Sequence, residues 1–147
     1  MGFSKRLSKA AALGVIAAGA AALLTATPAQ AASHCHFSNT TGRYSCSGSN
    51  SVRGPNDVIG SKLFTGYDYS GDSLTIWVDR PCPKNNYVDY TIDLGSAMRK
   101  KVTSVQAWST CWTWLYFEDG SRDGPYQGND PDVGTWANDR AVTVGLS

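Results

Sequence analysis

The side chains able to do chemistry in this 147-residue chain fall into three groups: four cysteines, a set of carboxylates in turn-like stretches, and a run of tryptophans. Asp68/Asp72 and Glu118/Asp119 are the carboxylate pairs that could be imagined in acid/base work. The chain has two histidines, His34 and His36, both in a polar stretch. It carries no Gly-x-Ser-x-Gly elbow, no His-Glu-x-x-His and no phosphate-cradling glycine loop. Turn aspartates in a β-rich chain ordinarily form Asx turns. No catalytic residue is assigned, and the expectation is a protein that is not an enzyme.

The cysteines, Cys35, Cys46, Cys82 and Cys111, are even in number, as in an oxidised, exported chain with two disulfides. Three pairings are possible. Cys35–Cys46 closes a short N-terminal loop and Cys82–Cys111 ties two distant segments, which makes this the favoured set. Each bond contributes on the order of 2–4 kcal/mol, more for the longer loop. Zinc held by His34, Cys35, His36 and Cys46 is disfavoured, because ligands so close together do not match a zinc knuckle.

Export is expected from the first 32 residues. Lys5, Arg6 and Lys9 precede an apolar run from Ala10 to Leu24, and Ala29-Gln30-Ala31 supplies a small-residue cleavage site. The run is shorter than the roughly 20 residues of a membrane span, so residues 1–32 are taken as a secretory signal peptide. Its removal leaves ten Lys+Arg against twelve Asp+Glu, about −2. That balance argues against a nucleic-acid partner. Roughly 115 residues remain, enough for one domain. The expected product is a secreted monomer with no membrane attachment.

The elements that must position these groups are strands. Residues 33–57 are polar and are expected to form an arm with at most one short strand. From residue 58 the chain alternates short β-rich runs with turns: Ser73 to Val78, Tyr87 to Ile92, Val102 to Trp108, Trp112 to Phe117 and Ala141 to Leu146. No helical period of useful length interrupts them. Many short strands with turns between them predict a sandwich or barrel. Within Leu63–Trp77, Phe64, Tyr69 and Gly71 bracket a tight reversal, the glycine permitting positive φ at the corner.

A shift of 39 residues lays the stretch from Asp93 to Val105 over that from Asp132 to Val144 without a gap, matching Asp93-Leu94-Gly95-Ser96 to Asp132-Val133-Gly134-Thr135, Lys101 to Arg140 and Val105 to Val144. Together with the aromatic-x4-aromatic-x-Gly corner, the repeat resembles the βγ-crystallin superfamily. The resemblance implies an all-β, disulfide-stapled sandwich of two Greek keys over residues 58–147. The second hairpin, Trp114 to Gly124, departs from it by lacking the second aromatic.

Further expectations come with the resemblance. Each calcium site of that family joins an acidic stretch of one copy to a hydroxyl of the other. Here only Asn138 and Asp139 with Thr103 keep both halves, implying one weak calcium site, because the other has Arg99-Lys100 and Val142. A separate stretch, Asp119 to Asp130, echoes an EF-hand loop, but it lacks flanking helices and a plain acidic hairpin is favoured. Relatives of this architecture include proteinase inhibitors and polysaccharide-binding antifungal or killer-toxin-like proteins. The first analogy points to an extracellular protease as partner and to Pro81, Pro83 and Lys84 in the Cys82 loop as contacts. The second points to cell-wall polysaccharide, with Trp112, Trp114 and Trp136 as stacking candidates. The period-two row of Trp112, Trp114 and Tyr116 suits core better than surface, because a small domain needs bulky interior side chains.

Overall fold

The computed structural model describes residues 29–147, so most of the expected signal segment lies outside the described residues. The strand-forming runs found in the sequence become β3 (Val58–Phe64), β4 (Ser73–Val78), β5 (Tyr90–Asp93), β6 (Ser104–Ala107), β7 (Thr113–Phe117) and β10 (Ala141–Leu146). Ahead of them lie β1 (His34–Ser38) and β2 (Tyr44–Ser45). Between β7 and β10 come β8 (Arg122–Tyr126), β9 (Asn129–Asp130) and a single helical turn, α1 (Gly134–Ala137).

Two sheets face each other. One runs β2-β1-β4-β3-β6-β9 and the other β5-β10-β7-β8. The first four strands after the arm, β3 to β6, make one Greek key, and β7 to β10 make the second. Each key gives its third strand to the opposite sheet: β5 pairs with β10, and β9 with β6. The sheets thus share one order, second–first–fourth strand of one key followed by the third of the other. The interior is filled by Leu63, Leu74, Ile76 and Val105 from one sheet and Ile92, Leu115, Val144 and Leu146 from the other, all essentially buried. Burying a side chain of this size contributes about 1.5–3 kcal/mol. One polar contact crosses between the sheets, Ser61 Oγ to Thr113 Oγ1 at 2.8 Å, with both residues fully buried.

The N-terminal stretch is more ordered than its composition suggests. β1 pairs in parallel with β4 along five residues, and Cys35 bonds Cys46 to hold it there. Behind it, Asp57 accepts hydrogen bonds from Ser38 Oγ (2.6 Å), Thr40 Oγ1 (2.7 Å) and Gly54 N (2.8 Å). Burial pushes the Asp57 carboxyl up, but these donors outweigh it and hold the pKa below the usual value. Arg53 lies over the Trp77 ring at 5.4 Å, so the arm also covers the outer side of β4.

At the first hairpin, Phe64 and Tyr69 meet edge-to-face at 5.7 Å and Gly71 has φ +75°. The Ser104 hydroxyl fastens this fold, donating to Gly66 O and accepting from Tyr69 N. The equivalent residue 39 positions on, Thr143, donates to Asp93 instead. The second hairpin is accordingly an ordinary one, with Gly120 at its turn.

Candidate functional site

Residues 79–89 form a loop with no regular structure, and its shape is set by its own bonds. Cys82 is buried and joined to Cys111. Its N–H donates to Ser109 O, and its carbonyl accepts from Thr110 Oγ1. Pro83 O accepts from Asn85 N. The Asn85 side chain then braces the tip: Oδ1 accepts from Tyr87 N and Nδ2 donates to Asp89 Oδ1, both at 2.9 Å. Between these anchors Asn86 has φ +64°. The side chain that projects is Tyr87, 74% exposed.

Lys84 does not project. Its Nζ lies 3.9 Å from the centre of the Trp112 ring and donates to Ser147 O. The sequence-predicted contacts Pro81, Pro83 and Lys84 are all exposed, with the Lys84 side chain lying along the Trp112 ring. Tyr87 was missed because Tyr87–Ile92 alternates like a strand. The strand starts only at Tyr90, because Asn86 turns the chain and Asn85 captures the Tyr87 amide.

The loop adjoins the outer face of β7. Thr113, Leu115 and Phe117 point inward and are buried, so Trp112, Trp114 and Tyr116 point outward, partly buried. This corrects the expectation that the row is core. The interior takes the smaller Thr113 because it faces Ser61, and Leu115 fills the space beside it. Outside, Arg122 from β8 lies 4.1 Å from the Trp114 ring centre and 5.8 Å from that of Tyr116, and donates to Tyr116 Oη. Trp114 Nε1 donates to Ser147 Oγ. Two shallow clefts of about 170 Å³ each join the loop to this face, with Asn86, Trp112 and Ser147 common to both. Trp136 is not part of it. Half-exposed, it packs edge-on to Phe117 at 4.9 Å with Arg140 against both rings.

The calcium candidates sit at the crossing of the two long loops. Lys100 N donates to Ala141 O and Asp139 N donates to Val102 O. Leu94 N reaches Val142 O, and Val133 N reaches Thr103 O. Each bond maps onto its partner by the 39-residue shift, and Lys100 and Asp139 share φ +58°. The repeat is therefore a two-fold relation in space, with third strands exchanged between sheets. The fold is of the βγ-crystallin type. Against known structures, the chain is similar to a βγ-crystallin domain from Clostridium beijerinckii at 19% identity and TM-score 0.44, over 59% of this chain and 95% of that one. It is similar to a double mutant of that domain at 18% identity and TM-score 0.47, over 60% and 97%. No protein-family model matches the chain, and no curated protein does.

Within the βγ-crystallin-type domain the two loop sites differ. At the first, Asn138 Oδ1 is buried with no hydrogen-bond partner, and Asp139 is exposed beside it. Thr103 Oγ1 donates to Thr65 O at 3.1 Å and keeps its lone pairs. A buried orphan oxygen, one carboxylate and a hydroxyl are the donor types a hard cation takes. At the second, Lys100 Nζ lies 2.5 Å from Glu118 Oε2, with Arg99 on the same carboxylate at 3.7 Å. Ammonium and guanidinium, with their hydrogen bonds to Glu118, hold its pKa below the ordinary range. That second set does not suit calcium.

The EF-hand echo does not converge. Asp119 Oδ1 accepts from Ser121 N and Oγ in an Asx turn, and its Oδ2 pairs with Arg140. Asp123 accepts from Tyr126 Oη, and Asp130 lies in β9 on the other sheet. Of the other carboxylates, Asp72 accepts from Ser33 N. His34 meets Ser73 Oγ at 2.8 Å, and His36 Nδ1 accepts from Trp77 Nε1. Burial, then Lys62 and His34, lower the His36 pKa.

Proposed function

We propose that the protein is an exported, non-enzymatic binding module of the proteinase-inhibitor type, engaging an extracellular protease with the 79–89 loop and the adjoining outer face of β7. Its two disulfides suit an oxidising environment. The observation that carries the reading is the braced tip. Tyr87 stands out from a loop already fixed by Cys82–Cys111 and by both ends of the Asn85 amide. A loop ordered before binding avoids much of the entropy cost of association. Tyrosine, tryptophan and arginine beside it are the residue types that dominate protein–protein hot spots. Titration against a panel of secreted metallo- and serine proteases is the assay. Stoichiometric loss of activity with at least one, weakened by Tyr87→Ala, is the expected result. No loss with any of them, together with retention on chitin or cellulose, would overturn it in favour of polysaccharide binding.

Calcium binding is a second property that a specific observation favours, namely the unpartnered Asn138 Oδ1. Asn138, Asp139 and Thr103 would hold the ion, and its charge would tie the two keys together. A single carboxylate makes for a weak site.

A further inference from the structure

Cleavage directly after the Ala29-Gln30-Ala31 site makes Ala32 the mature N-terminus and His34 its third residue. A chain that starts this way puts four nitrogens within reach of one ion: the new Ala32 amine, the Ser33 and His34 amides, and the His34 imidazole. The backbone links successive nitrogens in fused chelate rings, and Nδ1, the imidazole nitrogen nearer the backbone, closes the last of them. Neither Ser33 nor His34 is proline, so each amide has the N–H proton that an ion displaces. Nitrogen ligands in one plane are the preference of copper(II) and nickel(II), copper being bound the more tightly. Zinc, with its tetrahedral preference, does not suit such a set.

The fold leaves this short stretch accessible. Ala32, Ser33 and His34 are exposed, and regular structure begins only at His34. β2 pairs with His36 and Phe37 and stops short of His34. Ser33 N donates to Asp72 Oδ1 at 2.8 Å, and His34 Nδ1 meets Ser73 Oγ at 2.8 Å. An ion takes both nitrogens from these partners, at the modest net cost of exposed and part-buried hydrogen bonds. The rearrangement ends at His34, because Cys35 is buried and bonded to Cys46. His36 is engaged elsewhere, its Nδ1 accepting from Trp77 Nε1. Among the described residues no three His, Cys, Asp or Glu side chains converge as a metal site, so this ligand set draws on the backbone.

We propose that the mature N-terminus, Ala32-Ser33-His34, is a copper(II) site. The Ala32 amine, the Ser33 and His34 amide nitrogens and His34 Nδ1 coordinate the ion, and the amide protons pass to solvent. The site rests on the export reading above and is independent of the protease. Mass spectrometry of the secreted protein first fixes its terminus, expected at Ala32. A chain that keeps residues 1–31 overturns export and the site together, and one that begins at Ser33 overturns the site alone. Cupric chloride is then titrated into the mature protein and followed by visible absorption and circular dichroism. One equivalent should bind with the violet band of planar, nitrogen-coordinated copper, and no such band from a chain beginning at Ala32 overturns the proposal. His34→Ala should weaken binding by more than about a hundredfold, beyond what losing an outer-shell partner costs. A glycine inserted ahead of Ala32 keeps every side chain in place but moves His34 to the fourth position, and it should cost as much. His36→Ala should leave the affinity as it was. Matching melting temperatures without copper are the control for folding. Tight binding kept by the glycine variant overturns the proposal, as does an equal loss in His36→Ala, which would make the site a pair of imidazoles on β1.

Discussion

Removing the Asn85 side chain tests whether the loop is held by its own bonds. Asn85→Ala deletes two hydrogen bonds of 2.9 Å, to Tyr87 N and to Asp89 Oδ1. It also leaves Asp89 without its amide donor, beside an Oδ2 that is already buried and unpartnered. Each exposed bond contributes about 0.5–1.5 kcal/mol, so the loss is about 1–3 kcal/mol. The disulfide to Cys111 and the pairing of β5 with β10 are untouched, so the loss falls on local opening and not on global unfolding. An opening free energy lowered by 1–3 kcal/mol multiplies the open population by roughly 5 to 150. Chymotrypsin cleavage after Tyr87, followed by mass spectrometry without reductant, reads that population directly. The expected outcome is cleavage accelerated within that range, with a melting temperature within a few degrees of wild type. Acceleration of less than twofold would mean that the tip is fixed by something other than Asn85, and the case for a pre-ordered loop would lose its support.

Three other outcomes are expected. Ser61→Ala should cost about 1–3 kcal/mol by orphaning the buried Thr113 hydroxyl, whereas Thr113→Val should cost less because Ser61 Oγ still reaches Gln106 O at 3.2 Å. In denaturant melts the double variant should fall well short of the sum of the singles, and additive losses would refute the pairing. If calcium binds at about 10⁻⁴ M, 10 mM calcium should add about 2.7 kcal/mol of stability. Asp139→Ala should abolish that gain and Asp119→Ala should not, and a calorimetric scan with no shift in the wild type would remove calcium from the protein. Burial and the Asp79 carboxylate push the Tyr90 hydroxyl up to about 12 from 10.0. Its contribution is full below pH 10 and is lost as pH climbs toward 12. Alkaline unfolding should therefore flatten over that window in Tyr90→Phe, and an identical alkaline limb would rule the contribution out.

Much of the fold was legible because duplication leaves marks that survive as spacing. The 39-residue shift reappears as paired hydrogen bonds across the two loops, and Ser73–Val78 and Ala141–Leu146 are strands over the stretches their alternation indicated. Alternation gives the period of a strand but not its inward side. Trp112, Trp114 and Tyr116 lie outside because Thr113 has a buried partner in Ser61, a contact 52 residues away that no local pattern contains. The five-residue pairing of β1 with β4 was hidden for a similar reason, since its polar residues are bonded to groups distant in sequence, such as Ser38 to Asp57. Tyr87 was obscured by the reverse effect, a local side-chain bond overriding a strand-like pattern.

The arm has a consequence for how the protein behaves in company. Without β1, β4 would be a six-residue outer strand with a row of open backbone donors and acceptors, a template for joining another chain edge to edge. With β1 in place the sheet ends instead in β2, only two residues long, and its far side ends in β9, equally short. In the facing sheet, β8 carries Arg122, Asp123 and Pro125 on its outer margin, residue types that discourage further pairing. The Cys35–Cys46 bond thus guards solubility as well as stability. A chain reduced at that bond would release β1 and lay bare the one long margin the domain otherwise keeps covered, so self-association should precede any loss of the sandwich itself.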